Sequence, residues 1–208
     1  MASSKQMKIT AIKQQLKNPD RVSVFVDEKY SFSLSLDELV KYRLKKDDEL
    51  SAVDVKKYKK LSDDGKLRAR SLEWLLNRPH SIREFKDYLY RKEADPELTT
   101  ALVQEFLDKN YLNERKFGEW FVELQQRRGK SNRAIRSELF KKGLERELID
   151  ELMNDGSNDE SPRLKALIAK KRKSSRYQND PQKLAQYLVT QGFNWSLVKE
   201  QLRPNDSE

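Results

Sequence analysis

The feature that most constrains this chain is an internal repeat with a period of about 50 residues. When the sequence is shifted by one period, Leu89 falls on Leu139 and Leu98 falls on Leu148, and a second shift places Leu139 on Leu188. Self-similarity at this spacing is typical of tandem structural modules that stack on their neighbours. We therefore expect a series of small repeated units rather than one large globule.

Each repeated unit has the apolar spacing of three short helices. In the first unit, Pro79 ends one helix, Ser81 caps the next, and Pro96 lies in the first turn of the third. The predicted fold class is mainly α, with three tandem three-helix repeats that form an elongated body. The predicted repeats cover residues 53–110, 111–155 and 161–203, with a linker at 156–160 and a disordered tail at 204–208.

A glycine marks the turn between the second and third helices in two of the units. Gly143 and Gly192 each stand just before an apolar residue, where a helix C-terminus commonly requires a positive φ. The first unit has Glu93-Ala94 at this position. We therefore predict that the turn of the first unit is built differently.

Residues 1–52 have another pattern and are predicted to form a small β-containing N-terminal extension. Val22, Val24 and Val26 alternate with other residues, which is the period of a strand with one buried face. Turn-forming residues on both sides of this segment predict a meander of three strands. Ser35 and Glu38 then have the spacing of a capping box, which predicts a helix start.

Composition narrows the possible functions. The net charge is +9 and the pI is about 9.5, which favours binding to phosphate backbones or to an acidic protein, although a charged surface that only keeps the chain soluble is the alternative. There is no cysteine, and His80 is the single histidine, so thiolate and multi-histidine metal sites are excluded. No apolar run is long enough to span a membrane, and we expect a cytoplasmic protein.

No arrangement of catalytic residues can be recognised in the sequence. Carboxylates alternate with lysine and arginine along the predicted helices, as they do on solvated surfaces. His80 is interpreted as a turn residue, and Asp63-Asp64 as residues near a helix terminus. The chain is predicted to have no enzymatic activity and to need no cofactor and no metal.

Two basic clusters are the candidate binding sites for DNA or a protein partner. The central basic cluster comprises Arg127, Arg128, Lys130, Arg133 and Arg136, and the C-terminal basic cluster comprises Lys170, Lys171, Arg172, Lys173 and Arg176. The second is predicted to follow a helix directly, in a segment (161–179) without acidic residues. Such patches neutralise phosphates and bind less tightly as salt rises, although each is also compatible with a solvated basic surface.

The aromatic residues allow two interpretations as well. Trp74, Trp120 and Trp195 are candidates for stacking on nucleic-acid bases. Their helical spacing among apolar neighbours favours packing in the core, which is the interpretation we prefer.

Three motifs at the helix junctions point to a known family. The first is Arg78-Pro79-His80-Ser81 continued by Glu84-Phe85 and Leu89, the second is Tyr111-Leu112-Asn113 continued by Phe117, and the third runs from Gly129-Lys130-Ser131 to Lys142-Gly143-Leu144. Together they resemble the RecX family, the bacterial regulators of the RecA recombinase, and the N-terminal meander is similar to an extension of some members. Asn110 stands where the family usually has glycine, and Gly118 where it prefers alanine.

The resemblance implies a function. RecX proteins bind along the groove of the RecA–DNA filament and generally inhibit its recombinase and co-protease activities. It therefore implies a regulator of recombination and of the SOS response, with the RecA filament and single- or double-stranded DNA as partners and a monomer as the default state. Two alternatives stay open: a nucleic-acid-binding module without a recombinase partner, and a helical scaffold that binds another protein.

Overall fold

The computed structural model describes residues 6–154 and 159–203. The chain divides into two compact units. The first consists of Met1–Leu76 and Leu89–Leu102, and the second consists of Asn77–Tyr88 and Val103–Glu208. The predicted disordered tail at 204–208, and residues 156–158 of the predicted linker, lie outside the described residues.

A four-stranded antiparallel sheet begins the first unit. Its strands are β1 (Met7–Gln14), β2 (Arg21–Val26), β3 (Lys29–Ser35) and β4 (Glu49–Leu50), in the order β3-β2-β1-β4. The alternating valines of β2 are buried as predicted, with Val24 opposite Phe32 of β3. The prediction of a three-stranded meander missed β4, because a strand of two residues is too short to show a period.

Two helices of the first unit pack beside this sheet. Helix α1 (Leu36–Lys41) begins with the predicted capping box, in which Glu38 N donates to Ser35 Oγ and Ser35 N donates to Glu38 Oε2. Helix α2 (Ala52–Leu76) packs against β3, and Tyr58 lies with its ring 5.3 Å from that of Phe32. The sheet and both helices thus share one apolar core.

The rest of the chain is helical, which confirms a mainly α fold. The helices are α3 (Ile82–Arg91), α4 (Pro96–Asp108), α5 (Glu114–Arg127), α6 (Asn132–Lys141), α7 (Arg146–Asn154), α8 (Ser161–Arg172), α9 (Ser175–Gln178), α10 (Pro181–Thr190) and α11 (Trp195–Leu202). Helices α5–α7 enclose one core around Phe117 and Leu139, and α8, α10 and α11 enclose another around Leu164 and Leu188. The short helix α9 was not predicted, since four residues carry no helical period.

The turn after the middle helix is the same in all three repeats, so the prediction of a different turn in the first was wrong. Glu93 has a φ of 59°, which is in the left-handed region, as are the φ values of Gly143 (91°) and Gly192 (94°). The same hydrogen bond also closes each turn, from Ala94 N to Leu89 O in the first repeat and from Phe193 N to Leu188 O in the third. The backbone therefore has the same design with or without glycine.

Close packing explains where glycine is required. A Cβ atom on Gly192 would lie 2.3 Å from Ser131 Oγ, and one on Gly143 would lie 3.1 Å from Arg83 Cβ. Both contacts are made with the middle helix of the preceding repeat. No helical repeat precedes Glu93, and its side chain is exposed. Glycine is thus demanded by the contact between repeats as well as by φ.

The repeats are joined by an equivalent contact each time. Ser81 Oγ, at the start of α3, donates to the carbonyl of Lys142 at the end of α6, over 2.9 Å. One repeat later, Ser131 N at the start of α6 donates to the carbonyl of Gln191 at the end of α10, over 3.2 Å. In both contacts, the N-terminus of one middle helix therefore lies against the C-terminal end of the middle helix in the next repeat.

Candidate nucleic-acid interface

The central basic cluster lies around the turn between α5 and α6. Arg127 is the last residue of α5, Arg128 is its C-cap, and Arg133 and Arg136 lie on α6 as predicted. Gly129 reverses the chain with a φ of 77° and packs against the side chain of Leu167 in α8. The turn that carries these cations is thus held in place by the following bundle.

Carboxylates neutralise much of the central basic cluster. Arg127 pairs with Glu123 one turn earlier in α5, and Arg136 pairs with Asp150 of α7. Lys130 Nζ lies 3.9 Å from Glu138 Oε1. Among the described residues, Arg128 and Arg133 are the members of this cluster that have no carboxylate partner, and both are exposed. The number of cations available to a phosphate is therefore smaller than the sequence suggests.

The C-terminal basic cluster lies within helices and not after one, which corrects its predicted position. Lys170, Lys171 and Arg172 form the last turn of α8, Lys173 is its C-cap, and Arg176 lies on α9. Cations at this end of a helix interact favourably with the helix dipole, so they also stabilise α8. In the described part of the chain, no carboxylate forms an ion pair with any member of this cluster.

Aromatic rings hold two of these cations instead. Lys171 Nζ lies 4.7 Å from the centre of the Tyr187 ring, and the Arg176 guanidinium lies 5.5 Å from that of Tyr177. A cation–π contact orients a cation without cancelling its charge. Lys170, Arg172 and Lys173 are exposed. This cluster therefore keeps its full positive charge.

Two further cations, which the sequence analysis missed, adjoin this cluster. Lys165 and Arg203 line a surface cavity of about 640 Å³ together with Arg172. Lys165 and Arg172 are seven residues apart on α8, so their shared face was available from helical spacing. Arg203 follows α11, and only the tertiary structure brings it to α8. Among the described residues, Glu200 is the one carboxylate that lines this cavity.

A second group of cations, also missed from the sequence, surrounds Glu84 at the start of α3. Arg78 Nη1 donates to Glu84 Oε2 over 2.9 Å, and Lys142 Nζ donates to Oε1 over 2.6 Å. His80, which is buried in its turn, has Nδ1 3.4 Å from Oε2. Burial alone would raise the pKa of Glu84, but the contacts with His80, Arg78 and Lys142 outweigh it and hold that pKa well below its ordinary value. The ion pair between Glu84 and Lys142 therefore links the first repeat to the second.

The tryptophans differ from one another. Trp120 packs beside Phe117 and carries the Arg78 guanidinium at 5.0 Å from its ring centre. Trp195, at the start of α11, is 57% exposed. The expectation of core packing is therefore wrong for Trp195.

Comparison with known proteins identifies the family. Residues 7–51 match the model of the regulatory protein RecX N-terminal domain, and residues 113–153 match that of the RecX second three-helix domain. The chain is 31% identical over 205 residues to regulatory protein RecX of Bacillus licheniformis, covering 96% of this chain and 78% of that protein. It is 31% identical over 198 residues to regulatory protein RecX of Listeria innocua, covering 93% and 74%. The chain belongs to the RecX family of regulatory proteins.

Solved RecX structures share the fold of this family member. A crystal structure of regulatory protein RecX superimposes with a TM-score of 0.68 at 23% identity, covering 93% of this chain and 97% of that one. RecX from Lactobacillus salivarius superimposes with a TM-score of 0.54 at 19% identity, covering 67% and 94%. At these identities the comparison concerns the fold alone.

The described residues of this RecX-family chain contain neither a membrane-spanning helix nor a group of metal-binding side chains. No helix there combines the length and apolar character needed to cross a membrane. No three histidine, aspartate or glutamate side chains are grouped there in a way that would hold a metal ion.

Proposed function

We propose that this chain is a non-catalytic regulator that binds the RecA–DNA filament in the cytoplasm and lowers its recombinase and SOS co-protease activities. Membership of the RecX family supports the choice of partner. The observation that carries the proposal is the C-terminal basic cluster, whose cations have no carboxylate partner among the described residues. A surface of this kind gains binding energy from phosphates by releasing their counterions.

The two basic clusters have different parts in this proposal. The C-terminal basic cluster supplies most of the contacts with DNA phosphates or with acidic groups of the filament. Arg128 and Arg133 of the central basic cluster add a smaller contribution, because the other members are already paired. Binding alone then changes the stability of the filament, and no bond in DNA or protein is made or broken.

A filament disassembly experiment tests the proposal. Preformed RecA filaments on single-stranded DNA are mixed with the chain, and the loss of filament is followed over time. The variant Lys170→Glu/Arg172→Glu/Lys173→Glu changes three exposed cations and keeps Lys171 beside Tyr177 and Tyr187. We expect the variant to bind filaments much more weakly and to lose its effect on disassembly. An unchanged affinity and rate would contradict the assignment of this cluster.

A matched control separates local charge from net charge. Lys141→Glu/Lys183→Glu/Lys199→Glu reverses three exposed lysines outside both clusters. This variant has the same net charge as the first and is expected to act on filaments nearly as the wild type does.

Capture of RecA with and without single-stranded DNA separates the alternatives. A filament regulator is retained most strongly by RecA together with DNA. A nucleic-acid-binding module without a recombinase partner binds naked DNA as well as filament, and a scaffold for another protein binds neither. Either of the last two results would replace the proposed function.

A further inference from the structure

The outer face of the N-terminal sheet carries two aromatic rings, one half-buried and one exposed. The valines of β2 point into the core, so Phe25, which lies between Val24 and Val26, points outward. Tyr30 on β3 pairs with Phe25, is 52% exposed, and has its ring centre 6.1 Å from that of Phe25 at an angle of 80°. Lys13 Nζ of β1 lies 5.3 Å from the centre of the Phe25 ring. A cation on β1 and two adjoining rings on β2 and β3 thus lie side by side across three neighbouring strands.

A basic depression adjoins Tyr30 on the same face. It has a volume of about 260 Å³, and its cationic lining comprises Arg21 of β2 with Lys66 and Arg70 of α2. Its other lining residues are uncharged: Gln15, Asn18, Tyr30, Ser33 and Ala69. Lys66 pairs with Asp63 at 3.0 Å, whereas no carboxylate in the described chain pairs with Arg21 or Arg70. We refer to Lys13, Arg21, Phe25, Tyr30, Lys66 and Arg70 as the sheet face.

The fold holds Arg21 in position on this face. Its Nη2 donates to both the carbonyl and the hydroxyl oxygen of Ser33, each over 3.1 Å. Ser33 N in turn donates to Ser62 Oγ of α2 over 3.0 Å. Gly65 of α2 leaves room for the guanidinium, since a Cβ there would lie 3.0 Å from Arg21 Nη1. A glycine inside a helix weakens it, and here it accommodates an oriented cation.

We infer that the sheet face is a binding site for single-stranded DNA. Two adjoining rings flanked by cations fit a strand whose bases are unpaired, because a base can stack on a ring while a neighbouring phosphate meets a cation. A duplex offers its phosphates to the cations but keeps its bases stacked inside, so the rings would gain nothing from it. The sheet face belongs to the first compact unit, whereas both basic clusters belong to the second. The inference therefore stands independently of the proposed RecA partner.

Binding of a fluorescent oligothymidylate to the full chain tests this inference. The variant Lys13→Glu/Tyr30→Ala/Arg70→Glu removes one ring and reverses two cations without touching the Arg21–Ser33 contacts. We expect its affinity to fall about tenfold or more, which corresponds to about 1.4 kcal/mol. The salt dependence should also become less steep, by about 0.7 in log–log slope for each lost phosphate contact.

The control variant is Lys46→Glu/Lys56→Glu/Tyr90→Ala, which makes the same changes at exposed positions of the same unit. We expect it to bind the oligonucleotide within about twofold of the wild type. Circular dichroism of both variants verifies that the fold is retained. Equal affinity of the sheet-face variant and this control would overturn the inference.

Photocrosslinking identifies the site directly, even if the basic clusters also bind DNA. An oligonucleotide with 5-iodouracil in place of thymine is irradiated with the wild-type chain, and the attached residues are mapped by mass spectrometry. We expect attachment at Tyr30 or Phe25, suppressed by unlabelled single strand and not by an equal amount of duplex. Attachment confined to residues outside the sheet face, or equal competition by duplex, would overturn the inference.

Discussion

The two basic clusters look alike in the sequence and differ in the structure. Each has five cations within ten residues or fewer. In the central basic cluster, Arg127, Lys130 and Arg136 have carboxylate partners. In the C-terminal basic cluster, Lys171 and Arg176 lie on tyrosine rings, and no described carboxylate pairs with any member.

This difference shows that a count of cations is a poor measure of a binding surface. An exposed ion pair contributes little to stability, but its carboxylate still lowers the positive potential that a phosphate meets. A tyrosine ring holds the cation in place and leaves the potential intact. The C-terminal basic cluster is therefore expected to dominate binding to DNA.

The largest expected effect comes from removing the cations of each cluster in turn. Lys170→Ala/Arg172→Ala/Lys173→Ala should weaken binding to duplex DNA about a hundredfold in low salt and reduce the salt slope by about 0.9 for each lost contact. Arg127→Ala/Lys130→Ala/Arg136→Ala should weaken it only about threefold. Fluorescence anisotropy over a range of salt measures both. Equal losses would show that carboxylate partners do not decide the contribution of a cluster.

The second effect concerns a carboxylate that is mostly shielded from solvent, with its side chain 14% exposed. Glu84→Gln leaves Arg78 and Lys142 without their shared anion, and we expect the free energy of unfolding to fall by about 2 kcal/mol. Because the pKa of Glu84 is lowered in the folded chain, its contribution is complete above about pH 4.5 and is lost as the pH falls through the folded value. Urea titrations of wild type and variant should therefore differ most above about pH 4.5, and the difference should shrink progressively as the pH falls below that value. A constant difference would contradict this assignment.

The third effect should make the central basic cluster resemble the C-terminal basic cluster, by leaving its cations without carboxylate partners. Glu123→Gln/Glu138→Gln/Asp150→Asn removes the partners of the central basic cluster, and affinity for duplex DNA should rise about tenfold because its cations are released. The control Asp87→Asn/Glu97→Gln/Glu147→Gln changes net charge equally without releasing a cation of either cluster. An equal gain in the control would mean that net charge, and not local pairing, sets the affinity.

The smallest effect concerns the rings under the C-terminal basic cluster. Tyr187→Leu keeps an apolar side chain and removes the ring beneath Lys171, so the free energy of unfolding should fall by about 0.5–1 kcal/mol. DNA affinity should hardly change, since the charge of Lys171 remains. Tyr90→Leu, at an exposed tyrosine, is the control. A large loss of DNA affinity in Tyr187→Leu would show that the ring itself takes part in binding.

Much of the fold was predictable because its signals are local. The helical period, the caps at Ser35 and Ser81 and the positive φ of Gly143 and Gly192 each depend on residues a few positions apart. Strand β4 and helix α9 were missed because two and four residues are too few to show a period. The turn at Glu93 was misjudged because glycine at the equivalent positions 143 and 192 meets two requirements, a positive φ and a close contact with the preceding repeat, and only the first applies at Glu93.

The candidate sites were predictable as residues and not as surfaces. The runs that contain Arg127 and Lys170 are visible in the sequence, but the partner of Arg136 is 14 residues away on another helix. Lys142 and Glu84 are 58 residues apart, and no pattern links them. The sheet face likewise combines Lys13 with side chains from two more strands and from α2.

By itself, the sequence determined the class of fold, the repeat, the positions of most helices and the excess of positive charge, because these depend on composition and on neighbours along the chain. Only the tertiary structure decided which cations are neutralised, which lie on aromatic rings and which glycines are indispensable. The physical reason is distance: an ion pair or a steric contact is decided within about 4 Å, and the chain brings its distant segments that close only when it folds.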